Sequence, residues 1–171
     1  IRIYGYDHSE TTDRLSTSYL ADFPQKDKDQ VQALISHLLA SRGFSEIITN
    51  SLTNASYAEA LKTEEKEKVE VLNKLSEDLG ILRNSLLFSG MEVLVYNINR
   101  KQKDLKLFEF GKTYHKKEAG KYTEKNHLGL YMTGNTTTET WLGPSVPINF
   151  YYVKSIVSDL LLKLNISDLK I

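Results

Sequence analysis

Residues 76–117 read SEDLGILRNSLLFSGMEVLVYNINRKQKDLKLFEFGKTYHKK, and three successive patterns in them decide the fold class. Ile81-Leu82-Arg83 is a short run of strand type. From Phe88 to Arg100 the apolar residues Met91, Leu94, Val95 and Ile98 recur at intervals of three and four, which predicts a helix burying that face. From Leu105 to Tyr114 the period becomes two: Leu105 and Leu107 point one way, Phe108 and Phe110 are split from them, and a strand is expected. Gly111 inside that strand marks a bulge or a close backbone approach. Leu94 and Phe108 are the expected core residues of the unit.

Upstream, Lys26 to Arg42 carries Val31, Leu34, Ile35, Leu38 and Leu39 on one helical face, with Asp27 and Asp29 near its start and Gly43 as its stop. Phe44 to Ser51 continues as a strand. Asn54 to Leu61 is a short helix capped by Thr53 or Asn54. Lys62 to Lys68, a run of mixed charge, reads as a solvated turn, and Val69 to Leu72 as a short strand. Ile1 to Phe23 reads as a strand or tight turn followed by an exposed linker.

Downstream, Lys116 to Asn126 is expected to be a polar hairpin loop. His127 to Thr133 is the return strand, with Leu128, Leu130 and Met132 on one face. Asn135 to Pro147 reads as a loop whose Trp141 anchors it on the core. Phe150 to Leu164 is an amphipathic helix through Val153, Ile156, Val157, Leu160, Leu161 and Leu164. Strands in hairpin order with helices between them predict an α+β fold, a mainly antiparallel sheet flanked by helices.

Composition narrows the function. The 171 residues hold 22 basic and 22 acidic side chains, a zero balance that argues against a dedicated nucleic-acid wrapper. The absence of cysteine removes disulfides and thiolate metal sites and permits an intracellular address, expected to be cytoplasmic. No apolar run approaches a membrane span, and the first residues lack a signal-peptide core. The chain opens without Met and reads as a segment of a longer polypeptide. No Walker-type or GxGxxG spacing occurs. The four histidines, His8, His37, His115 and His127, lack ligand spacing, so no metal ligands are assigned. No catalytic residues are assigned either. From Arg100 to Lys125 nine Lys or Arg face four acids, an excess suited either to solubility or to RNA phosphates. Lys112, Lys116, Lys117 and Lys121 are the candidates to face such a backbone.

Several of these stretches resemble the β subunit of phenylalanyl-tRNA synthetase. The run LRNSLL (82–87), the helix ending in NINR (97–100) and the strand LFEFGKTY (107–114) match that family's synthetase-like core in order and spacing. Arg2-Ile3-Tyr4-Gly5-Tyr6-Asp7 looks like its signature at the exit of a preceding winged-helix-like domain, and Phe150 to Ile166 like the helix after the core's central hairpin. The resemblance therefore implies two parts: residues 1–22, the end of the preceding domain and a linker, and residues 23–171, the N-terminal part of a truncated class II core. The first helix, Gly43 and the following strand are similar to the first class II motif, which builds the subunit interface. Phe44, Ile48 and Ser51 become the interface candidates, and Asn50 stands where that motif has proline.

The second class II motif places an arginine on its first strand to grip the ATP α-phosphate. In Gly111-Lys112-Thr113-Tyr114-His115 that place is taken by His115, which has neither a permanent charge nor a planar fork of donors. The acidic and aromatic residues of a catalytic return strand are likewise missing from His127-Leu128-Gly129-Leu130-Tyr131. The resemblance implies a non-catalytic structural domain that scaffolds a catalytic α subunit and helps to place tRNA(Phe). ATP and magnesium would serve the whole enzyme and not this chain, since the family's β-subunit magnesium carboxylates precede Arg2. Weak self-association through Val31–Ser51 is also expected, as is no membrane partner. A stand-alone RNA-binding or interaction module, and an active ATP-dependent ligase, are the alternative readings.

Overall fold

Two long strands carry the architecture of the computed structural model, which describes residues 28–63, 67–72, 74, 76, 79–118, 120–137, 141 and 143–166. β5 (Leu105–Glu118) and β6 (Lys121–Thr133) form an antiparallel ribbon, registered from Leu105 opposite Thr133 to Glu118 opposite Lys121. The stretch expected to be a polar loop, Lys116 to Asn126, is therefore mostly strand. Its alternating Tyr, Thr and charged side chains suit a ribbon solvated on both faces, which no count of apolar residues detects. Gly120, at φ +76°, supplies the left-handed turn residue.

β1 (Ser45–Glu46) lies parallel to β5, Ser45 opposite Leu107 and Glu46 opposite Phe108. The strand expected over Phe44 to Ser51 is cut short. Asn50 Oδ1 accepts from the Leu52 amide at 3.0 Å, a side-chain turn that redirects the chain. β2 (Leu52–Thr53) then enters a second antiparallel sheet with β4 (Ile81–Leu82) and β3 (Val69–Glu70), in the order β2-β4-β3. α2 (Ala55–Ala60) lies between them, and its cap is Asn54, whose side chain accepts from the Ser56 amide at 2.9 Å. Lys68, expected in a solvated turn, is buried; residues 64–66 of that run, and the readings placed on residues 1–27, lie outside the described residues.

The alternation in β5 sorts the core into two layers. Phe108 and Phe110, with Leu128, Leu130 and Met132 of β6, face α1 (Lys28–Ala40) and α4 (Phe150–Lys163), where Ile35, Leu39, Phe44, Ile156, Leu160 and Leu164 close the larger cluster. Asn149 caps α4 by accepting from the Tyr152 amide at 3.0 Å. Leu105 and Leu107 lie on the opposite face with Tyr131, under Leu86, Val93 and Leu94 of α3 (Leu87–Ile98) and the residue before it.

α3 presents a different face from the one its periodicity indicates. Leu94 is buried, but Met91 is 46% exposed, Val95 52% and Ile98 38%. The buried side is built instead on Ser89, Gly90 and Leu94, a rotation of about one residue, or about 100°. Tyr131 is the cause. Its ring presses on the helix where a Cβ on Gly90 would lie 2.0 Å from Cε1, and its hydroxyl donates to the Leu86 carbonyl at 2.7 Å. Small residues, not large ones, mark the contact.

The loop read over Asn135–Pro147 contains a short antiparallel pair, β7 (Asn135–Thr137) with β8 (Val146–Pro147). Trp141 is 92% exposed and anchors nothing on the core.

Candidate functional site

Where β4 ends, the chain runs into the edge of β5 and leaves a charge inside the protein. The Arg83 amide donates to the Ser51 carbonyl at 2.9 Å, and its carbonyl accepts from the Tyr114 amide at 3.0 Å, so the second sheet continues the first. The guanidinium then turns inward. Nε donates to the Lys112 carbonyl at 2.9 Å, and Nη1 donates to Thr49 Oγ1 at 2.6 Å and to Glu109 Oε1 at 2.9 Å. Thr49 adds its amide and hydroxyl to the same carboxylate oxygen, at 3.2 and 2.8 Å. The two charged side chains are 4% and 1% exposed. Glu109 Oε2 is buried and has no hydrogen-bond partner among the described residues. Gly111 makes the arrangement feasible, because a Cβ there would lie 2.4 Å from Arg83 Nη2. The close approach expected at this glycine is thus borne out.

Neither Arg83 nor Glu109 figured as a site residue in the sequence reading. A signal was available: a carboxylate between Phe108 and Phe110, in a strand whose neighbours are apolar, must be paired or neutral once folded. The pairing partner, 26 positions away along the chain, was not legible.

The candidates that sequence reasoning did name are scattered. His115 lies on β5 opposite Thr123, half-buried. Burial pushes its pKa below the ordinary 6.5, with Lys125 acting in the same sense and Glu67 opposing. Such an imidazole is neutral near pH 7 and is no substitute for a guanidinium. Lys112 is held by Glu124 at 2.6 Å, and the contact raises its pKa. Lys116 is half-buried, whereas Lys117 and Lys121 are exposed. Of the interface candidates, Phe44 is 4% exposed and belongs to the chain's own core, between α1 and α4. It therefore presents no surface to a neighbour. Ile48 is 92% exposed. Ser51 is half-buried and its carbonyl is taken by Arg83. A cavity of about 980 Å³, walled by Ile35, Phe110, Leu128, Leu130, Val153 and Leu160 among others, runs between α1, α4 and the sheet. Nothing in the sequence pointed to it.

The same fold occurs in synthetases. The Bacillus halodurans ATP phosphoribosyltransferase regulatory subunit/histidyl-tRNA synthetase superposes with a TM-score of 0.62 at 16% identity, over 85% of this chain and 36% of that one. The pyrrolysyl-tRNA synthetase PylSc of Desulfitobacterium hafniense gives 0.59 at 18%, over 95% and 53%. The fold is that of a tRNA-synthetase-like core. The family model described as the phenylalanyl tRNA synthetase beta chain CLM domain matches residues 14–171, and the chain belongs to that family. Among its relatives, the phenylalanine–tRNA ligase beta subunit of Bacteroides thetaiotaomicron is 36% identical over 175 residues, 97% of this chain. That of Staphylococcus aureus is 31% identical over 170 residues, 96% of this chain. In both, the chain spans 21% of the relative's length.

Proposed function

We propose that the chain is a non-catalytic structural domain of a phenylalanine–tRNA ligase β subunit, cytoplasmic, which scaffolds the catalytic α subunit and helps to place tRNA(Phe) during ATP-dependent aminoacylation. Residues 1–22 would close a preceding domain and 23–171 would form the N-terminal part of the synthetase-like core. The observation that carries the non-catalytic reading is His115. At the strand position where a catalytic core of this class resembles it but has an arginine, the chain has a half-buried imidazole whose charged form is disfavoured. The α-phosphate grip needs a fixed, forked positive charge at that position, and a neutral imidazole does not supply it. ATP and magnesium belong, on this reading, to the α subunit.

Calorimetry tests it. Titration of the chain with ATP and magnesium is expected to show no binding in the micromolar range and no activation of phenylalanine. Micromolar binding that disappears in His115→Ala would overturn the reading.

A further inference from the structure

The cavity between α1, α4 and the sheet, about 980 Å³ in volume, has two unlike parts. Its body is apolar, walled by Ile35 of α1, Phe110, Leu128 and Leu130 of the ribbon, and Val153 and Val157 of α4. Toward the edge of β5, β1 has ended at Glu46 and the chain turns away at Asn50. There the walls become Thr49, Ser51, Arg83, Glu109 and Gly111. The cavity thus joins an apolar body to the buried ion pair. Small-molecule sites occupy about 300–1,000 Å³ and combine apolar walls with a few convergent polar groups, and this cavity meets both conditions.

The pair supplies a second, separate observation. Arg83 and Thr49 all donate to Glu109 Oε1, while Oε2 is shielded from solvent and accepts nothing among the described residues. A carboxylate oxygen buried without a donor is costly and rare in a folded protein. Beside a cavity of ligand size, it marks where a donor from outside the chain is held. The charges decide what kind of donor that is. Glu109 is 1% exposed and Arg83 4%, and their charges cancel across a 2.9 Å contact. An ammonium, a carboxylate or a phosphate would each leave this neutral, buried pair with a net charge. A hydroxyl or an amide N–H satisfies Oε2 and leaves the balance as it is. We infer that the cavity binds an uncharged amphiphile, an apolar body carrying one hydroxyl or amide, with that group donating to Glu109 Oε2 and the body lying between α1, α4 and the ribbon. The inference stands apart from the scaffolding role, since neither needs the other.

The experiment is an amide-resolved NMR titration of the chain with four probes of one size: n-octanol, heptyl methyl ether, octylammonium and octanoate. The ether keeps the oxygen and the apolar body of the alcohol but has no donor. Octanol is expected to shift the amides of Phe110, Leu128, Leu130 and Val153 saturably, and to bind several-fold more tightly than the ether or either charged probe. Two variants locate the effect. Val153→Trp, which fills the body of the cavity, should abolish binding. Arg83→Met with Glu109→Leu should leave octanol and ether bound equally, because the acceptor is gone. If either variant fails to fold, the four probes on the parent chain still decide. Equal binding of octanol and ether there would overturn the inference, by showing apolar partition alone. Tighter binding of octylammonium or octanoate would overturn it by assigning a charged ligand. Shifts that do not saturate, or that spare the cavity walls, would overturn it as well, as would full binding by a folded Val153→Trp.

Discussion

At the scale of single residues, the molecule depends on a charge it has buried. Arg83 neutralises Glu109 through Oε1, while Oε2 has no hydrogen-bond partner among the described residues, and desolvation offsets much of the attraction. Arg83→Met, which strands the carboxylate, is expected to cost about 3–5 kcal/mol in urea unfolding, while Arg83→Met with Glu109→Leu should recover most of the loss. A double variant no more stable than the single would show that the pair stabilises beyond what packing supplies. His115 gives a second prediction, in pH. Its folded pKa is depressed below 6.5, so the unfolded chain binds the proton more readily. The resulting stability is present above about pH 6.5 and is lost as pH falls below it. Unfolding midpoints measured from pH 7.5 down to 5 should fall less steeply in His115→Gln than in the parent chain. At this scale the sequence was partly legible. Gly111 announced its crowding because only a missing side chain explains a glycine in mid-strand. The Arg83–Glu109 contact could not be read, because it joins strands of two different sheets.

At the scale of elements, periodicity located most of them but did not set every rotation. α1 and α4 bury the faces their apolar residues mark, since each lies on the sheet with large side chains. α3 does so only at Leu94, because it meets Tyr131 through Ser89 and Gly90, and the other residues its pattern marked, Met91, Val95 and Ile98, stand about half in solvent. Leu94→Ala is therefore expected to cost about 2–5 kcal/mol, whereas Met91→Ala and Val95→Ala should each stay within about 0.5 kcal/mol. Equal losses at all three positions would mean that the helix lies as the periodicity alone implied. The ribbon beyond Tyr114 was illegible for the opposite reason. Its strands are stabilised by ladder hydrogen bonds and turn chemistry, with few apolar residues to announce them.

At the scale of the whole molecule, surfaces remain that this chain does not cover. Ile48 is almost fully exposed beside a large apolar cavity, and an exposed apolar patch tends to find a partner. Phe44, expected from the sequence to share that contact, fills the core instead. Weak self-association at high concentration is thus expected to depend on Ile48. Sedimentation of Ile48→Asp should return a folded monomer, while Phe44→Asp should unfold. Unchanged association in a folded Ile48→Asp would place the contact elsewhere. The central claim is that the domain scaffolds a catalytic subunit without catalysing anything itself, and co-expression with a phenylalanine–tRNA ligase α subunit tests it most directly. The chain and the α subunit are expected to co-purify at a fixed ratio and to lose that ratio in Ile48→Asp. A chain that elutes alone beside a well-folded α subunit would contradict the claim.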